Sequence, residues 1–432
     1  MNFIPATLAG ALLTGLLGAQ QPSDTDKRVT ELERRLDALS RQLEQQQTGN
    51  APPVAEGGTG SYGLGAAASK VYAAPVGVSI GGYGEFLYQN FAGSLQNGTY
   101  APQNNQIDTL RAVFYFGYHF NDWIVFNSEV EFEHSGYSDA HPEGEAIIEF
   151  AYLDFLIRKE FNVRAGQLLL PIGFVNEMHE PPAVLSAARP MVEREGGLIP
   201  TTWHENGAGI HGELPGDVRY RLYLINGMNA ANFSAGGLSA ARQDGNKANA
   251  ERFAMTGRLD WQPLLGGSVG FSFYRGNSVF ESPYGAPVRA TTIPTTLADV
   301  HTEYRSQGWQ FRALYARTTL GQSEIESLGA TTGAYSVGTK QWGGYLEAGY
   351  DLLSRSGSRQ ALIPFVRWER LNLQQQVVAG VLPDPANDLT VHTAGLSWRP
   401  IPQVAVKADF SQIRNGAHTG RNQWDLALGY EF

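Results

Sequence analysis

Cysteine is absent from this chain of 432 residues, which removes disulfide scaffolds, thiolate zinc sites, iron–sulfur clusters and cysteine nucleophiles. Charge is scarce as well: 17% of residues are charged, against roughly 25% in ordinary soluble domains. Lysine is the scarcest charge, with 6 residues against 26 arginines. No apolar run reaches the ~18 residues of a spanning helix, although 42% of the chain is hydrophobic. A polytopic helical membrane protein is thereby excluded. Bases are outnumbered by acids, 32 to 42, for a net charge of −10, which argues against a binder of nucleic acid. What is abundant is glycine, at 50 residues, and aromatic side chains, with 8 Trp, 19 Tyr and 21 Phe. Apolar residues spread thinly at period two, among many glycines and aromatics, are the composition of a transmembrane barrel.

The first 19 residues read as a secretory signal peptide, with an apolar stretch from Leu8 to Leu17 and small residues up to Ala19. Residues 20–47 read as a short α-helical coiled coil in the periplasm. Val29, Leu32, Leu36, Leu39 and Leu43 recur at spacings of 3, 4, 3 and 4, an a/d seam, with Arg28 and Glu33 placed to pair between chains. At about two and a half heptads the seam is too short to hold chains together alone, so it is an adjunct to an oligomer built elsewhere. A Gly/Pro/Ala-rich stretch over 48–75 is expected to be a flexible linker, and a barrel is expected over 76–432.

From Val76 onward the pattern alternates. Ala112, Phe114, Phe116, Tyr118 and Phe120 share a face with Leu110, while Arg111, Tyr115 and His119 share the other. Tyr220, Leu222 and Leu224 oppose Arg219 and Arg221, and Trp424, Leu426, Leu428 and Tyr430 oppose Asp425 and Glu431. One side apolar and the other charged is what a strand between lipid and water requires. About sixteen such segments can be counted, starting near 77, 107, 123, 146, 162, 206, 217, 251, 267, 297, 308, 340, 361, 389, 403 and 421. Their connections alternate between short turns, such as Asn121-Asp122 and Pro215-Gly216, and long loops, such as 171–205 and 228–250. Short periplasmic turns and long outer loops make this an all-β, antiparallel outer-membrane barrel rather than a soluble sandwich. Trp261, Trp309 and Trp398 fall at the expected periplasmic ends, and Trp342, Trp368 and Trp424 near the outer ends, all on the apolar face, as an interfacial girdle would.

The stretch AYLDFLIRKEFNVRAGQLLLPIGFVNE, 151–177, resembles the phosphate-selective porin O and P type family. There a strand pair of the form Ala-Tyr-x-Asp … Arg-x-Gly-Gln leads into Pro-x-Gly. NGAGIHGEL, 206–214, is similar to the strand after that family's long third loop, and the terminal Leu-Gly-Tyr-Glu-Phe, ending in Phe432, resembles the aromatic assembly signal of bacterial outer-membrane barrels. The resemblance spans 76–432, and an N-terminal coiled coil precedes the barrel in relatives. It implies a homotrimer of sixteen-stranded barrels in the outer membrane of a Gram-negative-type bacterium. Such a trimer is surrounded by outer-membrane lipids and inserted by the barrel assembly machinery. It also implies that the third outer loop, here 171–205, folds inward to constrict each pore. Loops of that length are usually functional, and prolines at 171, 181, 182, 190 and 200 suit a compact loop.

On lumen-facing parity lie Arg111, Arg219, Arg221, Arg258, Arg305, Arg312 and Arg367, a candidate ladder for anions. The same parity points Glu129, Glu131, Asp154, Asp260, Glu303, Glu347, Glu369 and Asp409 inward, so a salt-bridged, solvated wall is the favoured reading. The constriction loop carries Glu177, His179, Glu180, Arg189, Glu193, Arg194 and Glu195, then His204 and Glu205. That is five acids against two arginines, with no lysine. These residues match a general diffusion porin with weak, cation-leaning selectivity rather than a phosphate pore. A second function class is a structural tether, in which the coiled coil reaches toward peptidoglycan or another envelope component.

Enzyme signatures are not supported. Gly77-Val78-Ser79-Ile80-Gly81 and Gly266-Gly267-Ser268-Val269-Gly270 match a nucleophile elbow without its strand–turn–helix setting. Gly58-Thr59-Gly60-Ser61-Tyr62-Gly63 lacks the flanking strand and helix of a dinucleotide site. His179-Glu180 and His204-Glu205 read as hydrogen-bonded or pore-exposed pairs, and no cofactor or metal is expected.

Overall fold

The computed structural model describes residues 61–102, 104–136, 144–280, 291–329 and 332–432. The chain divides into two units, 1–44 and 45–432, and every described residue belongs to the second. The expected signal peptide, the coiled-coil seam from Val29 to Leu43 and the linker up to residue 60 lie outside the described residues.

Sixteen antiparallel strands close into one barrel. They are β1 (Gly77–Phe91), β2 (Gln106–Asn121), β3 (Ile124–Glu133), β4 (Glu145–Arg158), β5 (Phe161–Leu169), β6 (His204–Leu214), β7 (Val218–Asn226) and β8 (Phe253–Leu264). The second half comprises β9 (Gly267–Val279), β10 (Thr292–Ser306), β11 (Trp309–Leu320), β12 (Lys340–Tyr350), β13 (Ala361–Gln376), β14 (Asp388–Ile401), β15 (Val404–Asn415) and β16 (Gln423–Glu431). Each strand pairs with its sequence neighbours, and β16 returns to pair with β1, Tyr83 opposite Glu431 and Phe91 opposite Gln423. The strands begin at, or within a few residues of, the expected positions. The one irregular short connection, 351–360, is held by Asp351, whose carboxylate accepts from Leu353 N and Leu362 N, each at 2.9 Å.

The outward face is apolar, as period two demands. Phe114, Phe116, Tyr118 and Phe120 are exposed while the intervening Val113 and Tyr115 are buried. Trp261, Trp309, Trp368, Trp398 and Trp424 stand on the outer surface, and Trp342 is half-covered. A charge on this face should be costly. Val366, 59% exposed on β13, is expected as Arg to lower folding stability in lipid by about 2–4 kcal/mol, measured by denaturant titration in vesicles.

Two of the β-bulges move side chains of the lumen wall. In β2 the pairing to β1 slips beside Leu110, between Arg111 opposite Glu85 and Thr109 opposite Phe86. Leu110, expected on the lipid face with Phe114, instead packs inward against Leu87, Ala187 and Ala427. In β4 the pairing to β3 slips between Glu129 opposite Phe150 and Val130 opposite Ile148. The extra residue is Glu149, and both it and Phe150 are fully buried on the lumen side. A bulge places two consecutive side chains against one partner and re-aims them.

The barrel interior is only partly polar. Tyr223 and Ile225 of β7, Tyr274 of β9, Leu297 of β10, Leu314 of β11 and Tyr345 of β12 are buried on the inner face. Together with Phe174, Val175, Val192, Leu198, Ile199 and Trp203 they form one apolar cluster. The long connection 170–203 between β5 and β6 therefore packs inside the barrel on an apolar seat. It contains two short 3₁₀ turns, Pro181–Ala183 and Met191–Glu193.

A second inward segment precedes β1. Residues 61–75, the end of the expected linker, are packed rather than free, with a 3₁₀ turn at Ser61–Gly63 and a helical turn α1 at Lys70–Ala73. Leu64, Ala67, Ala68 and Val71 are buried in it. Its backbone is received by the wall: Asn127 Nδ2 donates to Ala68 O at 2.8 Å, and His119 Nδ1 lies 2.8 Å from Ala74 O. Tyr72 donates to Asp154 at 2.7 Å and accepts from Arg164 at 3.1 Å. Small residues are required here: a Cβ at Gly65 would overlap the Glu180 carboxylate, and one at Gly63, held at a φ of +86°, would lie 2.6 Å from the Arg221 guanidinium.

Candidate functional site

The inward loop is irregular backbone buried inside a barrel, and buried peptide groups must find partners. The wall supplies them by charge. Loop N–H groups donate to wall carboxylates: Gly173 to Asp299 at 3.2 Å, Ala187 to Asp409 at 2.6 Å and Met191 to Glu369 at 2.6 Å. Loop carbonyls accept from wall cations: Pro182 from Arg399 at 2.7 Å, Ser186 from Lys407 at 2.9 Å, Ala183 from Arg312 at 3.4 Å, and Gly173 from Arg258. Arg367 also donates to Ser186 Oγ at 2.5 Å. A wall of one sign could not satisfy both kinds of backbone group, so the interleaved charges have a structural reason.

All seven arginines of the expected lumen ladder face carboxylates. Arg111 lies 3.3 Å from Glu131 and 3.2 Å from Glu133, Arg221 3.2 Å from Asp260, and Arg258 2.7 Å from the same Asp260. Arg312 is 3.1 Å from Glu303, which also pairs with Arg305, and Arg367 is 2.8 Å from Glu369 and 3.2 Å from Glu347. Arg219 reaches Glu213 at 3.5 Å near the short β6–β7 turn. These seven guanidiniums stand in charge pairs with carboxylates.

The loop residues divide into two groups. Glu177, His179, Glu180 and Glu193 are buried against the wall. Glu177 pairs with Arg221 at 3.0 Å; burial still pushes its carboxyl above the usual carboxylate range, against the pull of Arg221 and Arg258. Glu193 braces the loop from within, accepting from Phe174 N at 2.5 Å, Val175 N at 3.1 Å and Tyr345 OH at 2.6 Å. Burial raises this carboxyl too, partly offset by those hydrogen bonds. His179 sits 3.0 Å from Glu129. At the loop's end, Glu205 accepts from Gln243 N at 3.0 Å and Trp203 Nε1 at 3.2 Å, and His204 lies 2.6 Å from Thr202 O. These side chains are buried inside the protein.

Arg189, Arg194 and Glu195 form the second group. They line a cavity of about 300 Å³ between the loop and the β1–β4 wall, with Glu85, Arg111, Glu131, Glu133, Glu145, His204, Arg242 and Asp244. Six carboxylates face four guanidiniums there. Burial lowers the Arg194 guanidinium from its ordinary value, with Glu369 opposing. Asp299, Arg399 and Lys407 were missing from the expected site because their role, seating the loop, depends on contacts across the barrel; Arg164, also missing, holds Tyr72 of the segment before β1. Glu149 was missing because a bulge hides it from a strict alternation; the signal is that Phe150, Tyr152 and Asp154 share a parity which Glu149 breaks. Among the described residues, Glu129, Glu149 and His179 are the one group of three ligand-type side chains whose atoms lie within 4.8 Å of one another.

No family model matches the chain. An uncharacterized protein of Aquifex aeolicus (strain VF5) is 36% identical over 360 residues, covering 81% of this chain and 78% of that protein. Among solved structures, the fold is similar to OmpF of Salmonella typhi in complex with daunomycin, with a TM-score of 0.54 at 14% identity over 82% of this chain and 97% of that one. It is similar to the outer membrane channel DcaP of Acinetobacter baumannii, with a TM-score of 0.52 at 12% identity over 82% and 97%. It is also similar to the anion-selective porin from Comamonas acidovorans, with a TM-score of 0.51 at 10% identity over 82% and 99%. At these identities the likeness is one of fold: a closed, sixteen-stranded porin-type barrel.

Proposed function

The chain belongs to the same family as the uncharacterized protein of Aquifex aeolicus, and on that premise we propose that it is an outer-membrane porin. In this reading it acts as a homotrimer that passes small hydrophilic solutes and ions by diffusion, with weak preference for cations. Three features support the reading: the porin-type barrel, the apolar outer face with its tryptophans, and a long loop seated within the lumen. The preference rests on one observation. The cavity beside the loop holds six carboxylates against four guanidiniums, and of those four, Arg111 is bound to Glu131 and Glu133 while Arg242 donates to Thr201 O at 2.8 Å. Fixed negative charge in a narrow aqueous path lowers the barrier for cations and raises it for anions.

Phosphate specificity, which the family resemblance would add, is not part of this proposal. Lys407 is engaged with a loop carbonyl, and no lysine lies in 171–205. Purified full-length chain in a planar bilayer tests the reading. Discrete conductance steps are expected, with a reversal potential in a potassium chloride gradient displaced toward the cation side. Strong anion preference would overturn the selectivity, and no steps at high protein load would overturn the pore. Glu195 is exposed in the cavity, so Glu195→Lys should leave folding intact and move the reversal potential toward anions.

A further inference from the structure

Behind the constriction loop, side chains from three elements converge. Glu129 comes from β3, Glu149 from the bulge in β4 and His179 from the loop, and all three are buried, at 0%, 0% and 3% exposure. His179 Nε2 lies 3.0 Å from Glu129 Oε1 and 3.5 Å from Glu149 Oε2. Ligands held 2.0–2.1 Å from zinc at tetrahedral angles are separated by roughly 3.3–3.4 Å, between those two distances. The other ring nitrogen, Nδ1, lies 3.1 Å from Asn176 O. A carbonyl can only accept, so Nδ1 carries the hydrogen, and Nε2 is the ring atom turned toward the carboxylates. A histidine oriented through Nδ1 by a backbone carbonyl is the usual second-shell arrangement of a metal ligand.

The carboxylates supply a second, independent observation. Both oxygens of Glu149, and Glu129 Oε2, are buried without a hydrogen-bond partner among the described residues. Buried polar groups are almost always satisfied, and exceptions call for an explanation such as an ion. The nearby cations are committed elsewhere: Arg111 to Glu85, Glu131 and Glu133, and Arg189 to the carbonyl of His179 at 3.4 Å. An imidazolium at His179 would account for the contact with Glu129, and Glu149, 3.5 Å from the same nitrogen, has the Glu131 carboxylate as its other neighbour.

We propose that Glu129, Glu149 and His179 form a binding site for one divalent transition-metal ion, best matched by zinc, that fastens the constriction loop to the β3–β4 wall. One imidazole with two carboxylates suits zinc better than calcium or magnesium, which take oxygen ligands only. The remaining coordination position falls to water. The ion joins an element of the loop to two strands of the wall, so it fixes where the loop sits.

The test uses the purified full chain, stripped with a chelator and reloaded with zinc or cobalt. About one ion per chain should survive dialysis, as expected of a closed protein site, and cobalt should give intense visible bands typical of a low-symmetry, four-coordinate centre. Glu149→Gln keeps the side chain's shape and should weaken zinc binding at least ~10-fold. His179→Gln should change the cobalt spectrum by removing the nitrogen ligand. Zinc should raise the unfolding temperature of the parent chain but not of Glu149→Gln, while Glu251→Gln, at an exposed loop position outside the cluster, should bind as the parent does. If His179→Gln does not fold, the comparison of the parent with Glu149→Gln decides. Failure of the parent to retain zinc, or equal binding by the parent and Glu149→Gln, would overturn the proposal whatever the conductance measurements give.

Discussion

Deleting residues 61–73, so that residue 60 joins Ala74, is expected to raise single-channel conductance by about two-fold or more, because pore-lining atoms set the passable cross-section. The segment occupies space against the inner wall of β3 to β7, where Asn127, Asp154, Arg164, His211 and Arg221 surround it. Tyr72 is bonded to Asp154 and Arg164, and the ring of Tyr62 stacks edge-on against His211 at 5.4 Å. None of the strand pairings runs through it, so the barrel should still close. The wall side chains that bond it, Asn127, His119, Asp154 and Arg164, are polar, and water can replace its hydrogen bonds at little cost. The measurement is conductance in matched salt, with heat-induced migration on a gel to verify folding. Unchanged conductance would show that the segment does not limit the path.

The second large effect is expected from Glu193→Ala. One carboxylate gathers Phe174 N, Val175 N and Tyr345 OH, tying two parts of the loop to each other and to β12. The preceding turn is shaped around it: Gly173 has a φ of +66°, and a Cβ there would strike the Glu193 carboxylate. Truncation leaves two buried N–H groups and a hydroxyl without partners, each costing ~1–3 kcal/mol. A loss of roughly 3–5 kcal/mol in loop seating follows, allowing for partial relaxation. Current records should change from a steady open level to flicker between levels as the loop leaves its seat. A quiet channel of parental conductance would remove Glu193 from this role.

Period two carried most of the barrel into view from the sequence, since a strand between lipid and water shows its two environments residue by residue. Strand count, order and the tryptophan positions followed from that. The inner face was harder. Tyr223, Tyr274, Leu297 and Tyr345 are apolar where a water-filled lumen would be polar, because the loop and not water is their neighbour. The bulges beside Leu110 and Glu149 move these side chains to the opposite side from strict alternation, and the pairing partner fixes where each slip falls. Parity picks out the arginines, yet what they hold is a set of loop carbonyls and facing carboxylates brought together from distant parts of the chain. Residues 61–75 gave no signal of their own, since a Gly/Ala-rich stretch has the same composition whether it is solvated or packed closely against charged side chains.

The seam between β16 and β1 bears on the order of assembly. Gly82 and Phe432 exchange two backbone hydrogen bonds, Gly82 N to Phe432 O at 3.1 Å and Phe432 N to Gly82 O at 2.9 Å. Every other strand pair joins neighbours in sequence, so this pair alone brings together opposite ends of the barrel chain. Contacts of such wide separation carry the largest loop-closure entropy and form late. Until they form, β1 and β16 are open edges, able to capture foreign strands. Residues 61–75 and the loop between β5 and β6 reach the concave side most freely while the edges are apart, since afterwards each has to enter through an end of the closed cylinder. The pairing of the last strand thus closes off the side route by which the interior can be filled.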